Sequence, residues 1–362
     1  MSYARNPLLN NAMLPVDIVL APEWWHKHAG ICFDRDFFFH PARRIEDERK
    51  MEEVLNEKWG RFGLETDREQ NRPEVGAVHL AAGYLISQML GCEVRYSENH
   101  PPQVVPRGVE KLYVEPDRVF KSPTFQDFQK LIEALKKRYG RVCGDVNWSG
   151  ILNIALDLRG QDVFIDMHTA PQDIEHGFRQ IANIIEQFVR IVESQTGSSS
   201  ISVNRNVRHF KRPVFLHSEC SHTMISEEFY EKFLMPSDMA WSQRHRPFGI
   251  HYCGPDPHRY VRSFAKLPHL DFLDVGWGGD VAELRRSLPN TFLNIRLSPI
   301  EIVEQSDDEI HSTITRLVSE SANPYLTGIC CINMDDRVGD NKVNAIFETV
   351  NILRRKYKNL EQ

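Results

Sequence analysis

The 362-residue sequence contains no long apolar segment and no cluster of basic residues. Its apolar runs fall far short of the roughly 18 residues that cross a bilayer, and its first residues lack the pattern of a secretory signal. Lysine and arginine number 44 against 50 aspartates and glutamates, and the charges are spread along the chain. Nucleic-acid binding requires clustered cations. We therefore expect neither a membrane nor a nucleic acid as a partner.

Cysteine is scarce as well. The seven cysteines are an odd number, and Cys330 and Cys331 are the only adjacent pair, which is a poor basis for a disulfide framework. A chain of this length buries roughly three quarters of its unfolded surface and needs no covalent staple to hold a core. The sequence therefore predicts reduced thiols and a cytoplasmic protein.

Glycine-rich nucleotide-binding signatures are also missing, because no strand leads into Gly-x-Gly-x-x-Gly or Gly-x-x-x-x-Gly-Lys-Ser/Thr. What is present is an alternation of short apolar strands with longer helices, which is typical of a parallel sheet covered by helices. The predicted strands are 214–217, 249–252, 272–275, 292–295 and 326–332, and the predicted helices include 42–59, 75–91, 227–244, 257–266, 281–287 and 342–356.

We expect from this alternation an α/β fold, specifically a (β/α)8 TIM barrel. Residues 1–362 form one domain in this prediction. An N-terminal extension over 1–75 packs on a barrel over 76–362. In such a barrel, functional residues lie at the carboxyl ends of the strands.

One predicted strand end carries a histidine and a cysteine two residues apart. His251 and Cys253 share a face of the strand, and imidazole with thiolate is a ligand pair that zinc prefers. A third ligand could come from the last strand, where alternation allows Cys330 or Cys331, and we favour Cys330. The structural alternative is that these cysteines and His251 are buried core residues.

A polar cluster follows the predicted strand 214–217. Glu219 is a candidate fourth ligand or acid/base residue, His222 a candidate proton donor, and Cys220 could replace a metal ligand. The alternative is a loop that caps the next helix, for which Ser226 is the expected N-cap.

Two further residues are candidates for substrate binding. His168 could line the pocket, although a role at the entry of the following helix explains much of its segment. Trp148 could form an aromatic wall, with core packing as the alternative.

The run from 217 to 254 resembles the uroporphyrinogen decarboxylase superfamily. In that family a helix opening Ser-Pro-x-x-Phe and bearing a late proline precedes a strand ending in His-x-Cys-Gly. Here Ser226 opens the helix, Glu227 and Tyr230 replace the Pro and Phe, and Pro236 is the late proline. The similarity extends more loosely over most of the chain and implies a (β/α)8 barrel.

The resemblance favours the zinc-dependent corrinoid methyltransferase branch of this superfamily over the decarboxylase branch. Decarboxylases carry Arg-Gln-Ala-Gly-Arg to bind carboxylates, whereas residues 27–31 are Lys-His-Ala-Gly-Ile, which leaves His28 as a substrate-binding candidate. The methyltransferases require His-x-Cys and a distant Cys, which His251, Cys253 and Cys330 match. Where some members place an acidic ligand this chain has Gly276, so Asp274, Asp280 and Glu219 are the candidates for a fourth ligand.

The resemblance implies a zinc enzyme that moves a methyl group between a small substrate, a methoxylated compound or a thiol, and a cobamide. No Asp-x-His-x-x-Gly motif is present, so the cobamide is expected on a separate corrinoid protein, as for an O-demethylase component. A homodimer is compatible with these patterns. The alternatives are a uroporphyrinogen decarboxylase-like lyase and a non-catalytic barrel that binds a tetrapyrrole or corrinoid. Neither the substrate nor the direction of transfer is encoded in a motif.

Overall fold

The structure is a computed structural model that describes residues 3–66, 75–76, 82–198 and 205–361. Its strands are β1 Val16–Leu20, β2 Glu93–Arg95, β3 Gln103–Val105, β4 Phe215–Ser218, β5 Phe248–His251, β6 Phe272–Val275, β7 Phe292–Arg296 and β8 Thr327–Met334. Its α-helices are α1 Pro22–Ala29, α2 Arg35–Phe39, α3 Pro41–Trp59, α4 Leu85–Met89, α5 Pro116–Val119, α6 Pro123–Tyr139, α7 Ile151–Arg159, α8 Asp162–Thr169, α9 Pro171–Thr196, α10 Glu227–Phe229, α11 Met235–Arg244, α12 Val261–Phe264, α13 Val281–Ser287, α14 Pro299–Glu304, α15 Asp307–Ser321 and α16 Asp340–Glu361.

Six of the strands form one parallel sheet in the order β1-β8-β7-β6-β5-β4. The first strand lies beside the last, with Val16 paired to Ile329, as in a closing barrel. The sheet curls into a half-barrel with helices around it, which confirms the α/β barrel class. In the part of the sequence that separates β1 from β4, the backbone N–H of Val75 donates a hydrogen bond to the carbonyl of Cys143 at 2.9 Å. β2 and β3 form a separate antiparallel pair.

The composition of the strands explains why they form the core of the barrel. All four residues of β6, Phe-Leu-Asp-Val, are buried, as expected of a parallel strand covered on both faces. The helices present one apolar stripe. α9 starts at a proline and ends at Thr196, where Gly197 with φ of 77° caps it. Its buried stripe includes Ile174, Phe178, Ile181, Ile185 and Phe188. In the described ranges, no helix combines the length and apolar character needed to cross a bilayer.

Three predicted elements differ from the structure. The helix over 75–91 is wrong in extent: its described part is helical only over α4, and residues 77–81 lie outside the described ranges. Gly76 and Gly83 instead run against the segment 145–149, where a Cβ on Gly76 would overlap the Asp145 carbonyl.

The helix expected over 227–244 is interrupted by a π-helical turn, Tyr230–Leu234, because Pro236 has no N–H to continue the regular ladder. The helix expected over 257–266 is a 3₁₀ turn, Pro257–Tyr260, followed by the short α12. The sheet also begins well before residue 76, since β1 lies inside the segment assigned to an extension.

Candidate metal centre

Three side chains meet at the carboxyl edge of the sheet. His251 ends β5, Cys253 lies in the loop that follows, and Cys220 starts a 3₁₀ turn, Cys220–Met224, just after the neighbouring β4. Their ligating atoms all lie within 4.8 Å of one another. Cys220 is exposed and Cys253 is half-buried, so the group is open to solvent on one side.

The orientation of His251 is set by the next two strands. Its Nδ1 lies 2.5 Å from Oδ2 of Asp274 on β6, and the other oxygen of Asp274 accepts from Asn294 Nδ2 on β7 at 2.7 Å. With Nδ1 held by the carboxylate, Nε2 is the nitrogen left to ligate a metal ion, which would take the place of the Nε2 proton. The imidazole is thus prepared to bind a cation through Nε2.

The electrostatics of the group favour one thiolate. The hydrogen bonds with Cys220 and His251 outweigh burial and lower the pKa of Cys253 to about 4, while the hydrogen bond with Cys253 raises the pKa of Cys220 well above its ordinary value. Burial lowers the pKa of His251, but hydrogen bonds to Asp274 and Cys253 outweigh burial and raise it to about 9. Two sulfurs and one imidazole nitrogen are a donor set that fits Zn²⁺ and leaves a fourth position open.

The structure groups Cys220, rather than Cys330, with His251 and Cys253. Cys330 is fully buried within β8, and its Sγ accepts from Asn294 Nδ2 at 3.3 Å. Burial also raises the pKa of the Cys330 thiol well above its ordinary value. Cys331 is equally buried, with its Sγ 3.8 Å from the carbonyl of Leu297.

Glu219 is buried, and its carboxylate binds backbone N–H groups rather than the group of Cys220, His251 and Cys253. Its carboxylate accepts from the N–H groups of Leu152 at 2.7 Å and Asn153 at 3.2 Å, at the start of α7, and from Ser221 N at 3.2 Å. A Cβ at Gly150 would collide with this carboxylate. This geometry makes Glu219 a helix cap and not the predicted metal ligand or acid/base residue.

His222 is also fully buried, beneath a layer of aromatic rings. Burial lowers the pKa of His222 to about 4, so the ring is neutral at pH 7. Among the described residues neither ring nitrogen has a hydrogen-bond partner. This environment does not suit the proton donor that the sequence predicted.

The three residues predicted to bind substrate have other neighbours. Trp148 is buried, with its ring 5.5 Å from that of Phe215. His168 is exposed at the end of α8 and contacts Phe229, with ring centres 4.7 Å apart. His28 is exposed and stacks on Trp24 at 4.6 Å.

The candidates for a fourth ligand also have defined roles. Asp274 holds His251, and Asp280 caps α13 by accepting from Glu283 N at 2.7 Å. Gly276 has no room for a side chain, because a Cβ there would overlap the backbone of Gly254.

Sequence reasoning missed Arg296, whose Nη1 lies 3.4 Å from His251 Nε2. A charged residue directly after the predicted strand 292–295 was the available signal.

No family model and no curated protein matches the sequence. Among solved structures, the chain is similar to a methyltransferase from Methanosarcina mazei, with a TM-score of 0.64, 12% identity and 94% of each chain covered. It is also similar to a B12-independent methionine synthase from Shewanella sp. W3-18-1 in complex with selenomethionine, with a TM-score of 0.52, 10% identity, and 96% of this chain and 99% of the other covered. At these identities the likeness shows a shared fold.

Proposed function

We propose that this protein is a zinc-dependent methyltransferase that moves a methyl group between a small substrate and the cobalt of a separate corrinoid protein. The observation that carries the proposal is the Cys220, His251 and Cys253 group at the carboxyl edge of the barrel. Two of the structural neighbours, a methyltransferase and a methionine synthase, support methyl transfer on this fold.

Each side chain has a defined task in the proposal. Zinc bound at this group would act as a Lewis acid on the sulfur or oxygen of the substrate. Asp274 keeps the proton of His251 on Nδ1, so Nε2 stays available as a ligand. Cys253 is already biased toward the thiolate that a metal requires.

The substrate is proposed as a thiol or a methoxylated compound. Trp24, Trp25 and Phe33 of the N-terminal segment are fully buried, so they pack in the core and do not favour an aromatic methoxylated donor over a thiol. The two substrate types are therefore tested side by side.

Metal content tests the first step of the proposal. Protein purified without a histidine tag is expected to hold about one equivalent of zinc, and His251→Ala and Cys253→Ser are expected to lose it. His28→Ala and Cys32→Ser are matched controls outside the group and should keep it. Zinc far below one equivalent, or zinc unchanged in the two site variants, would contradict the proposal.

Methyl transfer is then followed by the absorbance of cobalt in an added corrinoid protein. Thiols are offered with the methylated corrinoid, and methoxylated aromatic compounds with the reduced corrinoid. A reaction without corrinoid is included because one structural neighbour is named B12-independent. Bound zinc with no change at cobalt for either substrate type would refute the corrinoid step.

A further inference from the structure

The two cysteines of the candidate metal centre lie against each other. The sulfurs of Cys220 and Cys253 are within 4.8 Å of one another, and the two thiols share a hydrogen bond. A disulfide places its sulfurs about 2.0 Å apart, so the gap to close is at most about 3 Å. Rotation of a cysteine side chain between staggered rotamers moves its sulfur by about 3 Å. Side-chain rotation is thus large enough to bring the sulfurs into bonding distance.

The register of the sheet explains why the two sulfurs meet. Ser218 at the end of β4 pairs with His251 at the end of β5, and Cys220 and Cys253 each lie two residues beyond this pair. Neighbouring strands are about 4.8 Å apart, and a disulfide joins Cα atoms about 4.4–6.8 Å apart. Both cysteines lie outside the strands, in a 3₁₀ turn and a loop. A bond between them would therefore leave the hydrogen bonds of the sheet intact.

The remaining five cysteines are less suited to pairing. All seven cysteines lie in the described ranges, and four of them are buried: Cys92, Cys143, Cys330 and Cys331. Cys32 is half-buried, and its Sγ is 3.9 Å from Nδ1 of His26 rather than near another sulfur. Cys220 is exposed and Cys253 is half-buried. Because oxidation requires access to the sulfur, a dissolved oxidant reaches this pair first.

We propose that Cys220 and Cys253 form a reversible disulfide when a peroxide reaches the metal-free protein. One sulfur attacks a peroxide oxygen, the O–O bond breaks, and the thiol proton leaves with the departing hydroxide as water, which gives a sulfenic acid. The second sulfur attacks the sulfenic sulfur, closes the S–S bond and releases a second water. The two sulfurs lose two electrons in total, and these reduce the peroxide.

The disulfide and a bound metal exclude each other, because a metal is ligated by thiolates and a disulfide has none. Oxidised protein should bind no zinc at this group until a dithiol reduces the bond, and bound zinc should protect the cysteines. This consequence rests on the proposed function. The disulfide itself depends only on the two sulfurs.

The test treats the full-length, reduced and metal-free protein with hydrogen peroxide. Free thiols are then alkylated in denaturant, and digested peptides are mapped by mass spectrometry. We expect five of the seven cysteines to be alkylated, and one peptide carrying Cys220 to be joined to one carrying Cys253. Dithiothreitol should restore all seven thiols. Cys32→Ser is the matched control and should give the same joined peptides, whereas Cys220→Ser and Cys253→Ser should give none.

Absence of the joined peptides in the wild type, pairing of other cysteines in their place, or failure of dithiothreitol to restore the thiols would overturn the inference. The wild-type peptide map decides this without any variant.

A second arm adds zinc before the peroxide. Zinc at ten times its Kd should slow the cross-link by about tenfold, because only the metal-free fraction reacts. A disulfide that forms equally fast with zinc present would contradict the proposed zinc site. The disulfide would then stand as a modification independent of the metal.

Discussion

Asp274 and His251 meet across neighbouring strands, with Oδ2 of the carboxylate 2.5 Å from Nδ1 of the ring. The two residues are direct register partners on β6 and β5. Such a carboxylate fixes the orientation of the ring and makes its other nitrogen a better ligand. Asp274 therefore belongs to the centre without having to touch a metal.

Asp274→Asn should weaken zinc binding by about 10- to 100-fold, because an amide cannot replace the charge of the carboxylate. Competition with a chromophoric chelator measures the affinity. Asp280→Asn is the matched control, since asparagine caps a helix as well as aspartate and Asp280 caps α13. Equal zinc affinities in the two variants would show that Asp274 does not contribute to zinc binding.

The identity of the third ligand is tested by exchanging one cysteine at a time. Cys220→Ser should lose zinc, because its sulfur lies within 4.8 Å of the other two ligating atoms. Cys330→Ser should keep zinc, because Cys330 is directed at Asn294. Elemental analysis of both purified variants measures their zinc content. Loss of zinc from Cys330→Ser but not from Cys220→Ser would instead support Cys330, the ligand that the family resemblance implies.

Glu219→Gln should destabilise the fold by about 2–4 kcal/mol, since an amide replaces a buried charge that accepts several backbone N–H groups. Urea unfolding measures the change, with Glu228→Gln at an exposed position as the control. A stability loss no larger than that of the control would show that Glu219 is not a structural cap.

A pH-dependent effect is expected at Asp17, where burial raises the pKa from 3.8 to about 7 against the attraction of Arg205. Between those values the folded state keeps a proton that the unfolded chain has lost, so a rise in pH lowers the free energy of unfolding. Asp17→Asn keeps an acceptor for the Arg205 N–H at 2.8 Å and carries no such proton.

The stability of Asp17→Asn relative to wild type should therefore rise by about 1–3 kcal/mol between pH 4 and pH 8. Urea unfolding at both pH values measures this difference. Asp36→Asn, at an exposed position, should show no comparable change. A constant difference for Asp17→Asn would mean that Asp17 ionises normally in the folded protein.

Local patterns in the sequence predict much of the fold. Strand 272–275 and helix 281–287 have their predicted bounds, because apolar runs and capping residues are local signals. The helix predicted over 75–91 failed because Gly76 and Gly83 pack against a distant segment, and packing between distant segments overrides a helical pattern.

The candidate site was predictable only in part, for the same reason. His251 and Cys253 share one strand end, so their spacing identifies them together. The choice between Cys220 and Cys330 depends on where a turn after β4 places a sulfur relative to β5, which no periodicity encodes. The contacts of Asp274 and Arg296 with His251 join different strands and require the register of the sheet.

The pairing of β1 with β8 has a consequence for biosynthesis. Ribosomes deliver Val16 near the start of the chain, but its partner Ile329 near the end. One edge of β1 stays open until β8 has emerged, and such late, non-local pairing is slow and prone to aggregation. We therefore expect nascent chains that stall before Thr327 to depend on chaperones, because the exposed edge of β1 can pair with other chains.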